Sequence, residues 1–167
     1  EHLVRLNDGL AALKIRSAID PDTLLAEVSS LPIRDCVLKI VATPANLILQ
    51  TRPLPAEPAA AWRLAPAARH RTANPLLLGS KNLNYLDNLL AWEQARQDGF
   101  DDALWLNSAG QVAETSRANL FFLRDGRLMT PGLACGLLNG IIRQWVLDQY
   151  PVEAGFYSLE DLLNAEA

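Results

Sequence analysis

The chain has 167 residues, half of them hydrophobic and a fifth charged, with 15 basic against 19 acidic side chains and a formal net charge of −4. A length near ~150 suits one domain or two small ones, and such a chain buries a sizeable core without disulfide staples. The acidic balance argues against a nucleic-acid surface, which needs clustered Lys and Arg, and no run approaches the ~20 apolar residues of a membrane span.

Taken in order, Leu3, Leu6, Leu10 and Leu13 recur at helical spacing, so the chain opens on an amphipathic helix. Asp20-Pro21-Asp22 starts a second helix, with Asp20 as N-cap, Pro21 at the first position, and Leu24, Leu25 and Val28 as its apolar face. Val37–Val41 and Leu47–Thr51 read as strands. Pro53, Pro55 and Pro58 mark a linker, so the expected division is a small N-terminal domain at 1–53, a linker at 54–58 and a larger domain at 59–167. Trp62–Ala65 is a candidate short strand ended by Pro66, and residues 66–80 form a long connection. A helix follows with Leu86, Leu89, Leu90 and Ala95 on one face, stopped by Gly99. Ala103–Leu106, Gln111–Ala113, Asn119–Leu123 and Arg127–Met129 are short candidate strands around the turns Ser108-Ala109-Gly110 and Asp125-Gly126, which together read as antiparallel hairpins. Ile141–Gln149 is a helix stopped by Pro151, Val152–Tyr157 a strand, and Ser158 caps a last helix. The fold class is therefore α+β rather than a wound parallel sheet.

Cys36 and Cys135 stand far apart and read as small buried hydrophobes, and neither they nor His2 and His70 have zinc-site spacing. The phosphate loop, the dinucleotide turn and the nucleophile elbow are all missing. Glu1 and His2 already lie in a helical pattern and no secretory leader precedes them, so the expectation is a cytoplasmic protein whose beginning is absent.

Three weaker signals remain. Lysine is scarce, and Lys81 follows Leu76, Leu77 and Leu78 just before a helix. An amine among apolar residues loses its charge more readily and becomes a nucleophile, although a lone lysine is ordinarily a solvated surface residue. Glu114, between apolar strands, either caps a turn or answers a buried cation such as a pyridinium nitrogen. Asn139-Gly140-Ile141-Ile142-Arg143 puts free N–H groups at a helix start, suited to a phosphate, or is a plain glycine loop.

In this order the three signals resemble the class IV (fold type IV) aminotransferase family of pyridoxal-phosphate enzymes. The likeness rests on K-N-L-N-Y-L-D-N from Lys81, G-F-D-D-A-L-W-L-N-S-A-G-Q-V-A-E up to Glu114, then A-N-L-F-F, D-G-R-L-M-T-P and N-G-I-I-R, with His2-Leu3-Val4-Arg5-Leu6 as a fainter echo. The resemblance implies pyridoxal 5'-phosphate as cofactor and Lys81 as its Schiff-base lysine and proton carrier. It implies Glu114 beside the pyridine nitrogen, the backbone N–H groups of Ile141 and Ile142 on the phosphate, and Arg5 adding charge there. Ile142 stands where relatives often carry Thr, so no hydroxyl assists, and Asn119 is expected to be structural. It further implies a small-molecule amino substrate and a homodimer.

Within the family, K-x-L-N and N-G-I-I-R-Q resemble aminodeoxychorismate lyases and D-amino-acid aminotransferases more than branched-chain ones. The reaction implied is conversion of 4-amino-4-deoxychorismate to 4-aminobenzoate and pyruvate in folate biosynthesis. A branched-chain or D-amino-acid aminotransferase is the alternative, and a non-catalytic member a third reading. Two departures stand out. Ala42-Thr43-Pro44 follows the first strand where the family carries a Gly- and Arg-rich substrate loop, and the chain ends at Asn164–Ala167 before the family's final strands.

Overall fold

Leucines at three- and four-residue spacing form the first helix, α1 (His2–Ala12), whose buried contact is Leu10. The second, α2 (Pro21–Ser29), starts as its sequence dictates, with the Asp20 carboxylate accepting from the Thr23 N–H at 2.8 Å. Asn7 fixes the approach between them. Its Nδ2 donates to Ile19 O at 3.1 Å and its Oδ1 accepts from Ile19 N at 3.0 Å. Leu24 of α2 is buried, whereas Leu25, expected on the same face, is 62% exposed.

The computed structural model describes residues 1–16, 19–31, 35–54, 61–71 and 79–166. The chain divides into two units, Glu1–Ala61 and Trp62–Ala167. Residues 55–60, most of the expected linker, and Leu76, Leu77 and Leu78 ahead of Lys81 lie outside the described residues.

In the first unit β1 (Cys36–Ala42) pairs antiparallel with β2 (Leu47–Pro53), Ala42 opposite Leu47. Ile40, Ala42 and Leu49 of this hairpin pack against the cluster of Leu10, Ile19 and Leu24. Thr43 and Pro44 lie in a turn where Thr43 N donates to Asn46 O at 2.8 Å and the Thr43 hydroxyl accepts from Asn46 N at 2.9 Å. The Thr43 hydroxyl thus helps close a four-residue turn in which no residue needs the positive φ that glycine supplies in two-residue hairpins. The glycine- and arginine-rich loop of the family has no counterpart at this hairpin.

The second unit departs from a set of hairpins. Its strands are β3 (Leu64–Pro66), β4 (Asp102–Leu106), β5 (Val112–Thr115), β6 (Phe122–Arg124), β7 (Arg127–Pro131) and β8 (Val152–Gly155). β4–β5 and β6–β7 are antiparallel, but β3–β4 and β7–β8 are parallel. Parallel neighbours need a crossover of a dozen or more residues. The helix α3 (Leu86–Gln97) lies in the first crossover and α4 (Ile141–Gln149) in the second. Pro66 is tolerated because β3 is an edge strand, and the next N–H, that of Ala67, donates to Leu104 O at 2.8 Å.

Of the apolar face expected from Leu86, Leu89, Leu90 and Ala95 on α3, the three leucines are exposed and Ala95 is buried. Small side chains win the inner face: Ala91 packs against Trp105, Ala113, Cys135 and Leu137. A second cluster joins Phe122, Met129 and Tyr157, the Phe122 and Tyr157 rings meeting edge to face at 5.0 Å. The last helix, α5 (Leu159–Leu163), carries a capping box between Ser158 and Asp161. Among the described residues, no helix is long and apolar enough to cross a membrane.

Candidate active site

Glu114 is carried into the second unit by β5, where Val112 to Thr115 are all buried and the glutamate itself is 7% exposed. A carboxylate moved out of water needs partners, because leaving it bare costs several kcal/mol. Arg71 Nη1 donates to its Oε1. Asn119 Nδ2 donates to Oε2 at 3.1 Å and the Leu138 N–H to the same oxygen at 3.2 Å. Burial raises the Glu114 carboxyl above its ordinary value, against the opposing pull of the Arg71 charge, the hydrogen bonds from Arg71 and Leu138, and the Lys81 charge.

The same residues tie the site to the start of α4. Asn119 Nδ2 also donates to Leu138 O at 2.8 Å, and Gly140, the N-cap of α4, approaches so closely that a Cβ there would lie 2.2 Å from Asn119 Oδ1. Gly140 has φ −70° and ψ 148°, a conformation any residue adopts, so contact and not backbone geometry selects glycine here. Three residues on, Arg143 is 3% exposed, with Nη2 donating to Pro131 O at 3.0 Å and Nη1 to Asn139 Oδ1 at 3.3 Å. The turn after Glu114 is clamped as well. Fully buried Asp102 accepts from the Ser116 hydroxyl, Tyr85 Oη donates to Ser116 O at 2.7 Å, and the Arg117 guanidinium lies between the Trp62 and Trp92 rings at 5.0 and 4.9 Å.

A cavity of about 660 Å³ opens in this unit, with Lys81, Glu114, Arg71, Tyr85 and Leu138 among its lining. Folding therefore brings together two of the residues singled out in sequence, Lys81 and Glu114, across 33 positions of chain. Lys81 is exposed and its neighbour Leu83 is 65% exposed, so the described residues do not supply the apolar enclosure expected of it. Ile141 and Ile142 open α4, where the first N–H groups have no acceptor within the helix, yet neither is among the described residues lining the cavity. Arg5 lies on α1, in the first unit. Asn119, expected to be structural, binds the glutamate directly.

Arg71 was missed. Glu114 called for a cation, but the sequence offers a dozen arginines and no spacing that selects one of them.

The amino-transferase class IV family model matches residues 1–167. The chain belongs to that family. It is 37% identical over 97 residues to an aminodeoxychorismate lyase of Vibrio harveyi, a match covering 55% of this chain and 36% of that protein. It is 35% identical over 105 residues to a branched-chain-amino-acid aminotransferase of Pseudomonas aeruginosa, covering 62% of this chain and 33% of that protein. These matches span about a third of the curated relatives' length. Among solved structures, a 4-amino-4-deoxychorismate lyase from Pseudomonas aeruginosa superposes with TM-score 0.78 at 27% identity, covering 99% of this chain and 70% of that one. The α+β arrangement described above is thus the fold of class IV enzymes, of which this chain covers a part.

Proposed function

We propose that this class IV chain forms a pyridoxal-phosphate site and serves a lyase that converts 4-amino-4-deoxychorismate to 4-aminobenzoate and pyruvate, a step toward folate. The observation that carries the cofactor is the joint lining of one cavity by Lys81 and Glu114. The donor set fits the group. A carboxylate has about four lone-pair sites, and among the described residues Arg71, Asn119 and Leu138 take three, leaving one on Glu114 Oε1 for a ring N–H. Lys81 Nζ would hold the aldehyde carbon and move the proton at the substrate carbon. The N–H groups of Ile141 and Ile142 at the start of α4 would serve the phosphate. Bound there, the cofactor supplies an electron sink for charge developing on the substrate.

The lyase reading is supported by the Vibrio harveyi and Pseudomonas aeruginosa lyases and by the N-G-I-I-R-Q string. The Pseudomonas aeruginosa aminotransferase, nearly as similar in sequence, favours a second reading, amino transfer from a branched-chain or D-amino acid. The short Thr43–Asn46 turn counts equally for both, because it removes a substrate loop of the family. We extend the proposal to a cytoplasmic homodimer, supported by exposed Leu86, Leu89 and Leu90 on α3.

The test is borohydride reduction of the cofactor-loaded protein followed by peptide mapping. The phosphopyridoxyl group is expected on Lys81, and a label on Lys14 or Lys39 instead would refute the site. Product analysis with aminodeoxychorismate, against an amino acid plus 2-oxoglutarate, then separates lyase from aminotransferase.

A further inference from the structure

Arg71 occupies a junction in the second unit. Its N–H donates to Leu106 O at 2.7 Å, and it forms a parallel bridge with Asn107, so its backbone is fixed beside the end of β4. From there the guanidinium lies 5.0 Å from the centroid of the Trp105 ring, donates through Nη1 to Glu114 Oε1 and through Nη2 to Asn88 Oδ1. The stack holds one face of the group and the two bonds set its plane, a combination open to guanidinium and not to ammonium. Asn88 is in the first turn of α3, the helix that begins five residues after Lys81. A single guanidinium therefore joins the strand that carries Glu114 to the helix that follows Lys81. Its side chain is 10% exposed and that of Glu114 9%, so the pair is little screened by water.

We propose that Arg71 is a positioning residue that keeps Glu114 ionised and oriented inside the cavity, leaving the remaining Oε1 site ready to accept from a cationic ring nitrogen. The ring nitrogen rests on the cofactor reading above, whereas the hold on Glu114 is a property of the protein alone. Among the described residues, the groups that face Glu114 electrostatically are Arg71, Lys81 ahead of α3, Arg143 on α4 and the Tyr85 phenol. Burial pushes the carboxyl toward its neutral form, and Arg71 opposes that by both charge and hydrogen bond. Without it Glu114 would take up a proton and offer a ring N–H a weaker acceptor.

The experiment titrates the side-chain carboxyl of Glu114 by ¹³C NMR in the cofactor-free chain, with the resonance assigned by its loss in Glu114→Gln. Arg71→Met is expected to raise the midpoint by more than one pH unit, with Arg71→Lys between it and the parent. Arg71→Gln, which keeps donors for Glu114 and Asn88 without the charge, replaces Arg71→Met should the latter fail to fold by far-UV circular dichroism. Pyridoxal phosphate affinity, read by tryptophan quenching, should weaken about tenfold or more in Arg71→Met and be partly restored in Arg71→Lys. An unmoved midpoint in a folded Arg71 variant overturns the proposal even if the cofactor binds. A midpoint shifted in the Arg71 variants, together with a parent chain that binds no pyridoxal phosphate, upholds Arg71's hold on Glu114 and refutes the cofactor reading.

Discussion

Replacing Gly140 by alanine probes the link between Glu114 and the start of α4. The new Cβ would fall 2.2 Å from Asn119 Oδ1 and 3.4 Å from its Cγ, so the amide must retreat by about 1 Å to reach normal contact. A free side chain would move at little cost, but this amide is held by its Nδ2 bonds to Glu114 and to Leu138 O. Losing both forfeits one hydrogen bond to a charged group, about 1.5–3 kcal/mol, and one neutral bond, about 0.5–1.5 kcal/mol. Gly140 already has an ordinary extended conformation, so alanine adds no strain and offsets about 0.4–1 kcal/mol through the lower entropy of the unfolded chain, leaving an expected destabilisation of roughly 1–4 kcal/mol. The assay is urea denaturation, reading the midpoint at constant slope. In an Asn119→Ala background the same substitution should cost almost nothing, since the obstructing oxygen is gone, so the double-mutant cycle should show a large coupling. A loss below about 0.5 kcal/mol, or full additivity of the two changes, would refute the reasoning.

Two further outcomes are expected. Asp102→Ala should cost about 2–3 kcal/mol in denaturant titration, because it strands the Ser116 hydroxyl, which is 1% exposed, and frees Arg117 Nε; a neutral effect would show that the clamp after Glu114 carries no stability. The Asp161 carboxyl is held below its usual range, first by the Ser158 N–H, then by the Ser158 hydroxyl and Arg124. Its stabilisation is therefore complete above the ordinary carboxylate value and disappears as pH falls through the depressed one. The stability gap between the parent and Asp161→Asn should close on acidification, and a gap constant into strong acid would contradict the capping role.

The sequence by itself determined most local elements. Leucine spacing set α1, Asp20-Pro21 set the start of α2, and Asp125-Gly126, both at positive φ, set the turn between β6 and β7. Those signals act over a few residues, and burial or hydrogen bonding within the same turn or helix realises them. Lys81 and Glu114 were singled out by their order with N-G-I-I-R, which resembles the class IV family, and not by their own surroundings, where a solvated lysine and a turn carboxylate read equally well. The antiparallel hairpins were legible from their turns, but only the tertiary structure decided the parallel pairs. Whether β3 lies beside β4 in parallel depends on how α3 packs in the crossover, and the pattern of β3 is the same for either neighbour. It also decided that the leucines expected beside Ala95 stay exposed while Ala91 packs against the cluster around Trp105, where the space admits a small side chain. Above all it chose Arg71. A carboxylate's need for a cation can be read from its apolar neighbours, but which cation answers is fixed by where the chain returns, 43 residues away along the sequence and in direct contact in space.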